Sequence, residues 1–190
     1  DNLKKLKDIR DALPSYLQMS TTTGLDGKKL KVPNTIVTMQ HPINNNKIIT
    51  FPSARSKDAA DRLGRGATMP AEYYDEFAFM PYNQIVYSAA VPAYSKAAEN
   101  AKSHGSPYGL LITTTPGDLT TEEGTYGFAV RNAATPWNDM YYDRSYQDLE
   151  ALRLSNTNSS FFHVRFTYTQ LGAGEEYFKN MVVTMGKDWP

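Results

Sequence analysis

Two short stretches hold the residue types from which a hydrolytic site is built. Tyr73-Tyr74-Asp75-Glu76-Phe77-Ala78-Phe79 puts two adjacent carboxylates at the end of a β-prone segment. Leu110-Leu111-Ile112-Thr113-Thr114-Thr115-Pro116-Gly117 runs an apolar strand into a hydroxyl-rich turn. Sheets that hydrolyse nucleotides end one strand in an acidic pair, for the metal and the attacking water, and another in groups that sense the phosphate. In an open α/β sheet, ligands bind beyond the carboxyl ends of the strands, where both tips would lie. Asp75 would there hold Mg²⁺ through water, and Glu76 would orient and deprotonate the attacking water. Thr113, Thr114 and Thr115 would bond a terminal phosphate or that water. Each feature also has a plainer account. An Asp-Glu pair suits the N-terminus of a helix, and threonines before Pro-Gly are β-prone residues entering a turn. Glu72 fits poorly in a buried central strand, which is usually apolar throughout.

Other candidates carry less chemistry. Asp61-Arg62-Leu63-Gly64-Arg65-Gly66 could present Arg65 as an arginine finger, since a guanidinium binds phosphate oxygens bidentately. The alternative is a helix C-terminus with Arg near the dipole and Gly as the cap. Lys28, Lys29 and Lys31 form a small basic loop that could touch a DNA backbone or simply be solvated. His41, His104 and His163 lack metal-ligand spacing and read as structural or surface residues. Tyr126, Trp137, Tyr141 and Tyr142 could stack on a base, although packing explains them as well.

The elements that must position these residues follow from periodicity. Leu3, Leu6, Ile9 and Leu13 predict an amphipathic helix over 2–13, stopped by Pro14. Residues 20–34 read as a loop. The β-rich runs 35–39 and 47–51, around Pro42 and Asn44-Asn45-Asn46, predict a hairpin. A short helix is expected over 56–63, ended by Gly64 and Gly66. A long helix is expected over 82–103, with Pro92 a possible kink. A strand over 109–114, helices over 122–134 and 145–154, a strand over 161–168 and a helix over 175–185 complete the order. Alternating strands and helices predict a mostly parallel α/β sheet flanked by helices. The Asn- and Ser-rich run 155–160 reads as a linker between a domain over 1–154 and the start of a small subdomain over 161–190.

Composition narrows the classes. A chain of 190 residues suits one domain with a sizeable core. Lys plus Arg equals Asp plus Glu, 20 each, so the chain lacks the basic excess of a dedicated nucleic-acid-binding domain and any DNA contact must be local. There is no Cys, which excludes disulfides and thiolate metal sites and suits a reducing compartment. No apolar run approaches the ~20 residues that cross a bilayer, and no signal-peptide pattern follows Asp1.

Taken in order, these pieces resemble the large subunit of the tailed-phage terminase, the motor that packages DNA. Leu13-Pro14-Ser15-Tyr16-Leu17 looks like the family's helix-ending segment, and Asn34 to Phe51 like its hairpin. Leu63-Gly64-Arg65-Gly66 looks like its Arg-Gly loop, Tyr73 to Phe79 like its Walker B motif and Leu111 to Gly117 like its coupling motif. The likeness extends over about 1–143, with Phe161 to Trp189 similar to the small subdomain before the family's nuclease.

The resemblance implies a partial RecA-like (ASCE P-loop NTPase) sheet, ATP and Mg²⁺. It makes Asp75 the metal carboxylate, Glu76 the catalytic glutamate, Thr113 and Thr114 the coupling pair, and Arg65, more loosely, the finger. It further implies double-stranded DNA, a portal protein, a small terminase subunit and a homo-oligomeric ring at the procapsid portal in the host cytoplasm. No G-x-x-x-x-G-K-S/T occurs in the 190 residues. Neither does the nuclease's acidic cluster, so a fragment inactive by itself is expected, one whose sheet edge could pair with another copy. A piece of a DExx-box helicase or another ASCE motor, and a non-catalytic interaction module, are the alternatives.

Overall fold

The computed structural model describes residues 4–5, 8–9, 12, 38–40, 46–65, 68–167 and 169–185. The chain divides into two compact units. One comprises Asp1–Tyr73 and Met80–Leu111, the other Tyr74–Phe79 and Ile112–Pro190. The architecture is mixed α/β. Within the expected first helix, Lys4, Lys5, Asp8, Ile9 and Ala12 are helical. The rest of that helix lies outside the described residues, as do the 20–34 loop with its three lysines, Leu13 to Leu17, His41, Gly66 and Trp189.

In the first unit, β1 (Thr38–Gln40) and β2 (Lys47–Ile49) form the expected antiparallel ladder, in the register Thr38 with Ile49 and Gln40 with Lys47. Helix α1 spans Lys57–Arg65 and so runs through Gly64 instead of stopping there. Its start is set by Ser56, whose Oγ accepts from the Ala59 amide at 3.2 Å. Its last turn is tied by Arg65, which donates twice to Asp61 Oδ1, at 2.9 and 3.1 Å. That local pair offsets part of the entropic cost of a helical glycine, about 1 kcal/mol.

Helix α2 spans Asn83–Ser103 and continues through Pro92. It packs on α1, and its buried face is mostly alanine: Ala90, Ala98 and Ala101, with Val86 and Asn83. Small side chains on one stripe let the neighbouring helix approach closely. Gly105, at φ +65°, ends α2, with the Ser106 amide on Ala101 O and the Gly105 amide on Lys102 O. The positive φ is what glycine permits at low cost at a helix C-terminus.

Strands β3 (Ala71–Tyr74) and β4 (Gly109–Ile112) pair with each other. The Gly109 amide donates to Pro70 O and the Thr113 amide to Tyr74 O, both at 2.9 Å, so the strands run parallel. Along β3 exposure alternates, with Ala71 and Tyr73 exposed and Glu72 and Tyr74 half-buried. β3 is therefore not the doubly covered, apolar strand that would exclude Glu72. A polar residue is admissible in a ladder with one wet face.

In the second unit, α3 (Glu122–Ala133), β5 (Thr135–Pro136), α4 (Tyr146–Ser155), β6 (Phe162–His163) and α5 (Glu175–Met185) follow in order. The strand expected over 161–168 shrinks to two residues, paired parallel with β5. The overlap is only as long as the partner, since β5 is itself two residues. Bonds from Thr135 N to Phe161 O, at 2.9 Å, and from Trp137 N to His163 O, at 2.8 Å, flank the pair. Asn156, in the expected linker, donates to Ala133 O at 2.9 Å and to Thr135 Oγ1 at 3.0 Å, which fastens that run to the end of α3.

Candidate active site

The two chemistry-bearing tips lie side by side within the second unit. Where β4 ends, Thr113 Oγ1 donates to Asp75 Oδ1 at 3.1 Å. Two residues on, Thr115 donates to Glu76 Oε2 from its hydroxyl at 3.1 Å and from its amide at 3.3 Å. The backbones are joined as well, with the Phe77 amide on Thr113 O at 3.1 Å. Thr114, also exposed, bonds backbone instead: its hydroxyl accepts from the Ala78 amide at 3.0 Å and donates to Thr115 O at 2.8 Å. Asp75, Glu76, Thr113 and Thr115 are all exposed, so they can meet a ligand from solvent.

The turn that presents the carboxylates is held from behind. Asp75 and Glu76 are followed by a 3₁₀ turn, Phe77–Phe79, with Phe77 and Ala78 buried. The strand thus ends at Tyr74, just before the acidic pair, in line with the expected carboxylates at the end of a β-prone segment. Phe77 is 1% exposed and meets Tyr74 edge-on, ring centres 5.8 Å apart, with Tyr126 on its other side at 6.0 Å. Burying a phenylalanine contributes about 1.5–3 kcal/mol, which anchors the turn. Glu76 has φ +49°, a left-handed conformation that a residue with a Cβ adopts only when its surroundings impose it.

Glycines make the close approach possible. A Cβ on Gly117 would stand 2.8 Å from Ala78 Cβ, and one on Gly127 would stand 3.0 Å from the same atom. Gly127 lies on α3, so the helix backs directly onto the turn. Thr121 caps α3 by accepting from the Gly124 amide at 3.0 Å. Asp118 closes the preceding loop. Bonds from the Thr120 amide, and then from the Thr120 hydroxyl, hold its carboxyl below its ordinary value, with burial opposing weakly.

Sequence reasoning singled out the acidic pair and the threonine run, and the structure brings them together. It named all three threonines, and the resemblance Thr113 and Thr114; Thr113 and Thr115 are the ones that bond the carboxylates. It did not find Ala78, Gly117, Gly124 and Gly127 as the parts that set the turn; the available signal was small residues in the acidic segment, the turn and one helix.

The other candidates have contacts of their own. Arg65 belongs to the first unit, on the last turn of α1, with its guanidinium on Asp61. His104 bonds Asn100 O at 2.8 Å, and His163 buries an Nδ1 without a partner among the described residues. Trp137 packs edge-on against Tyr141, Tyr142 and Phe162, with ring centres 5.5 to 5.7 Å apart. Among the described residues no three His, Asp or Glu side chains converge as a metal cage. No protein-family model, curated protein or solved structure matches the chain.

Proposed function

We propose that the Asp75–Glu76 and Thr113–Thr115 tips form the hydrolytic edge of a nucleotide site, in a DNA-packaging ATPase of the terminase large-subunit kind. The observation that carries this is the set of hydrogen bonds from Thr113 and Thr115 to the adjacent carboxylates, at the ends of neighbouring parallel strands. Strand ends of this kind are where α/β sheets bind ligands. A RecA-like sheet is the framework to which such tips would belong.

The donors fit Mg²⁺. An exposed carboxylate with a hydroxyl beside it matches an ion that is held by one or two carboxylates, its own waters and substrate phosphates. Asp75 would hold it, and when bound it would supply neutralisation of charge on the phosphates. Glu76 would take a proton from water as the water oxygen bonds to the terminal phosphorus. The bond from phosphorus to the bridging oxygen then breaks, leaving ADP and inorganic phosphate. The 190 residues contain no G-x-x-x-x-G-K-S/T, so a phosphate cradle must come from other residues of the motor. Double-stranded DNA, a portal protein, a small terminase subunit and further copies in a ring are the corresponding partners, met in the host cytoplasm at the procapsid.

The test is Glu76→Gln in the full-length protein. ATP turnover is expected to vanish while ATP binding, followed by a fluorescent analogue, stays close to wild type. Turnover at the wild-type rate would remove Glu76 from the mechanism.

A further inference from the structure

Of the three consecutive threonines, Thr115 is the one that engages Glu76. Both of its donors, hydroxyl and amide, converge on a single carboxylate oxygen, Oε2. The other oxygen, Oε1, makes no hydrogen bond with the described residues. The position of Thr115 is itself fixed, because the Thr114 hydroxyl bridges Thr115 O and the Ala78 amide. On the far side, the Glu76 backbone is held at φ +49°, and Glu76 O accepts from the Phe79 amide at 2.9 Å. Backbone and carboxylate are thus clamped from both ends, an arrangement that aims Oε1 and costs no reorganisation during a reaction.

Resting on the catalytic role proposed for Glu76, we propose that Thr115 is a positioning residue for hydrolysis of a nucleoside triphosphate. It holds Oε2 so that Oε1 receives the proton of the attacking water. Thr115 touches neither water nor phosphate in this role. Losing its hydroxyl would leave the amide bond alone on Oε2 and let the carboxylate swing. A general base must lie within hydrogen-bond reach of the proton it takes, so such freedom lowers the rate of the chemical step and leaves nucleotide binding alone.

The experiment uses the full-length protein with ATP and Mg²⁺, comparing Thr115→Ser, Thr115→Ala and Thr115→Val by steady-state and single-turnover kinetics. Thr115→Ser keeps the hydroxyl and is expected within about twofold of wild type. The Ala and Val variants are expected to lose about tenfold in kcat, the effect of one hydrogen bond to a charged group, with KM for ATP unchanged. Ser and Ala differ only in the hydroxyl, so the pair decides even if the bulkier Val disturbs folding. A kcat for Thr115→Ala equal to that for Thr115→Ser would overturn the positioning role, as would a change confined to KM. Glu76→Gln in parallel separates the two ideas. A dead Glu76→Gln beside an unimpaired Thr115→Ala refutes the positioning role alone, whereas an active Glu76→Gln refutes the catalytic role beneath it.

Discussion

Glu76 is where local strain and candidate chemistry coincide. Its φ of +49° places a Cβ against its own backbone, a cost that glycine, lacking a Cβ, avoids and that Asn and Asp bear more easily than other L residues. A glutamate kept in that position must be stabilised by its surroundings, here the buried Phe77 and the Thr115 donors. Replacing Glu76 by Gly and by Ala removes the same carboxylate, so the difference between the two variants isolates the backbone. Glu76→Gly is expected to be more stable than Glu76→Ala by about 1 kcal/mol, read from urea unfolding midpoints. Equal midpoints would show that the left-handed conformation is not imposed on this residue. Much of this site was legible in the sequence. The acidic pair stood out by its place after a β-prone run, and the threonines by theirs. The choice between Thr114 and Thr115 was not made from the sequence, although the two-residue period of extended chain accounts for Thr113 and Thr115 falling on one side and Thr114 on the other. The strain at Glu76 was not legible, because nothing in a glutamate's identity announces a positive φ.

Helix α3 shows the same division between what sequence and packing decide. Its start was legible from Thr121, a hydroxyl that accepts from the Gly124 amide, with Glu122 and Glu123 in the first turn, where acidic residues favour the helix dipole. The two glycines inside it are, by propensity alone, blemishes worth about 1 kcal/mol each. Contact explains both: Gly127 admits Ala78, and a Cβ on Gly124 would collide with Asp118 O. Gly124→Ala should therefore lose about 1–3 kcal/mol of stability through overpacking, despite its gain in propensity. Gly127→Ala, with a gentler contact, should lose less. Thermal unfolding of the two variants checks the ranking. A Gly124→Ala protein more stable than wild type would mean that α3 does not sit against the 117–121 loop as described. The lengths of β5 and β6 were hidden for a related reason. Residues 161–168 alternate well enough for a strand, but a strand extends only as far as its partner, and β5 is two residues long.

At the scale of the molecule, several large apolar side chains among the described residues are exposed. The buried hydrophobic residues described are Phe77, Val86 and otherwise alanines, whereas Val183 is 82% exposed and Tyr142 78%. Leu171, Phe166, Leu154 and Met140 are exposed as well. Hydropathy patterns indicated where helices lay but not what would cover them, since a stripe of apolar residues looks the same before and after it finds a partner. No helix among the described residues is long and apolar enough to cross a membrane, so these side chains do not mark a bilayer span. Exposed apolar side chains such as Tyr177, Phe178 and Val183 on α5 favour association, and a formal net charge of zero provides no overall repulsion against it. The 190-residue chain is therefore expected to self-associate reversibly, with a light-scattering mass that climbs as concentration rises. Val183→Glu introduces a charge on α5, where Tyr177 and Phe178 are also exposed, and should shift that rise to higher concentration without lowering the unfolding temperature. A monomer mass at every concentration, in wild type and variant alike, would mean that the exposed side chains of α5 drive no association.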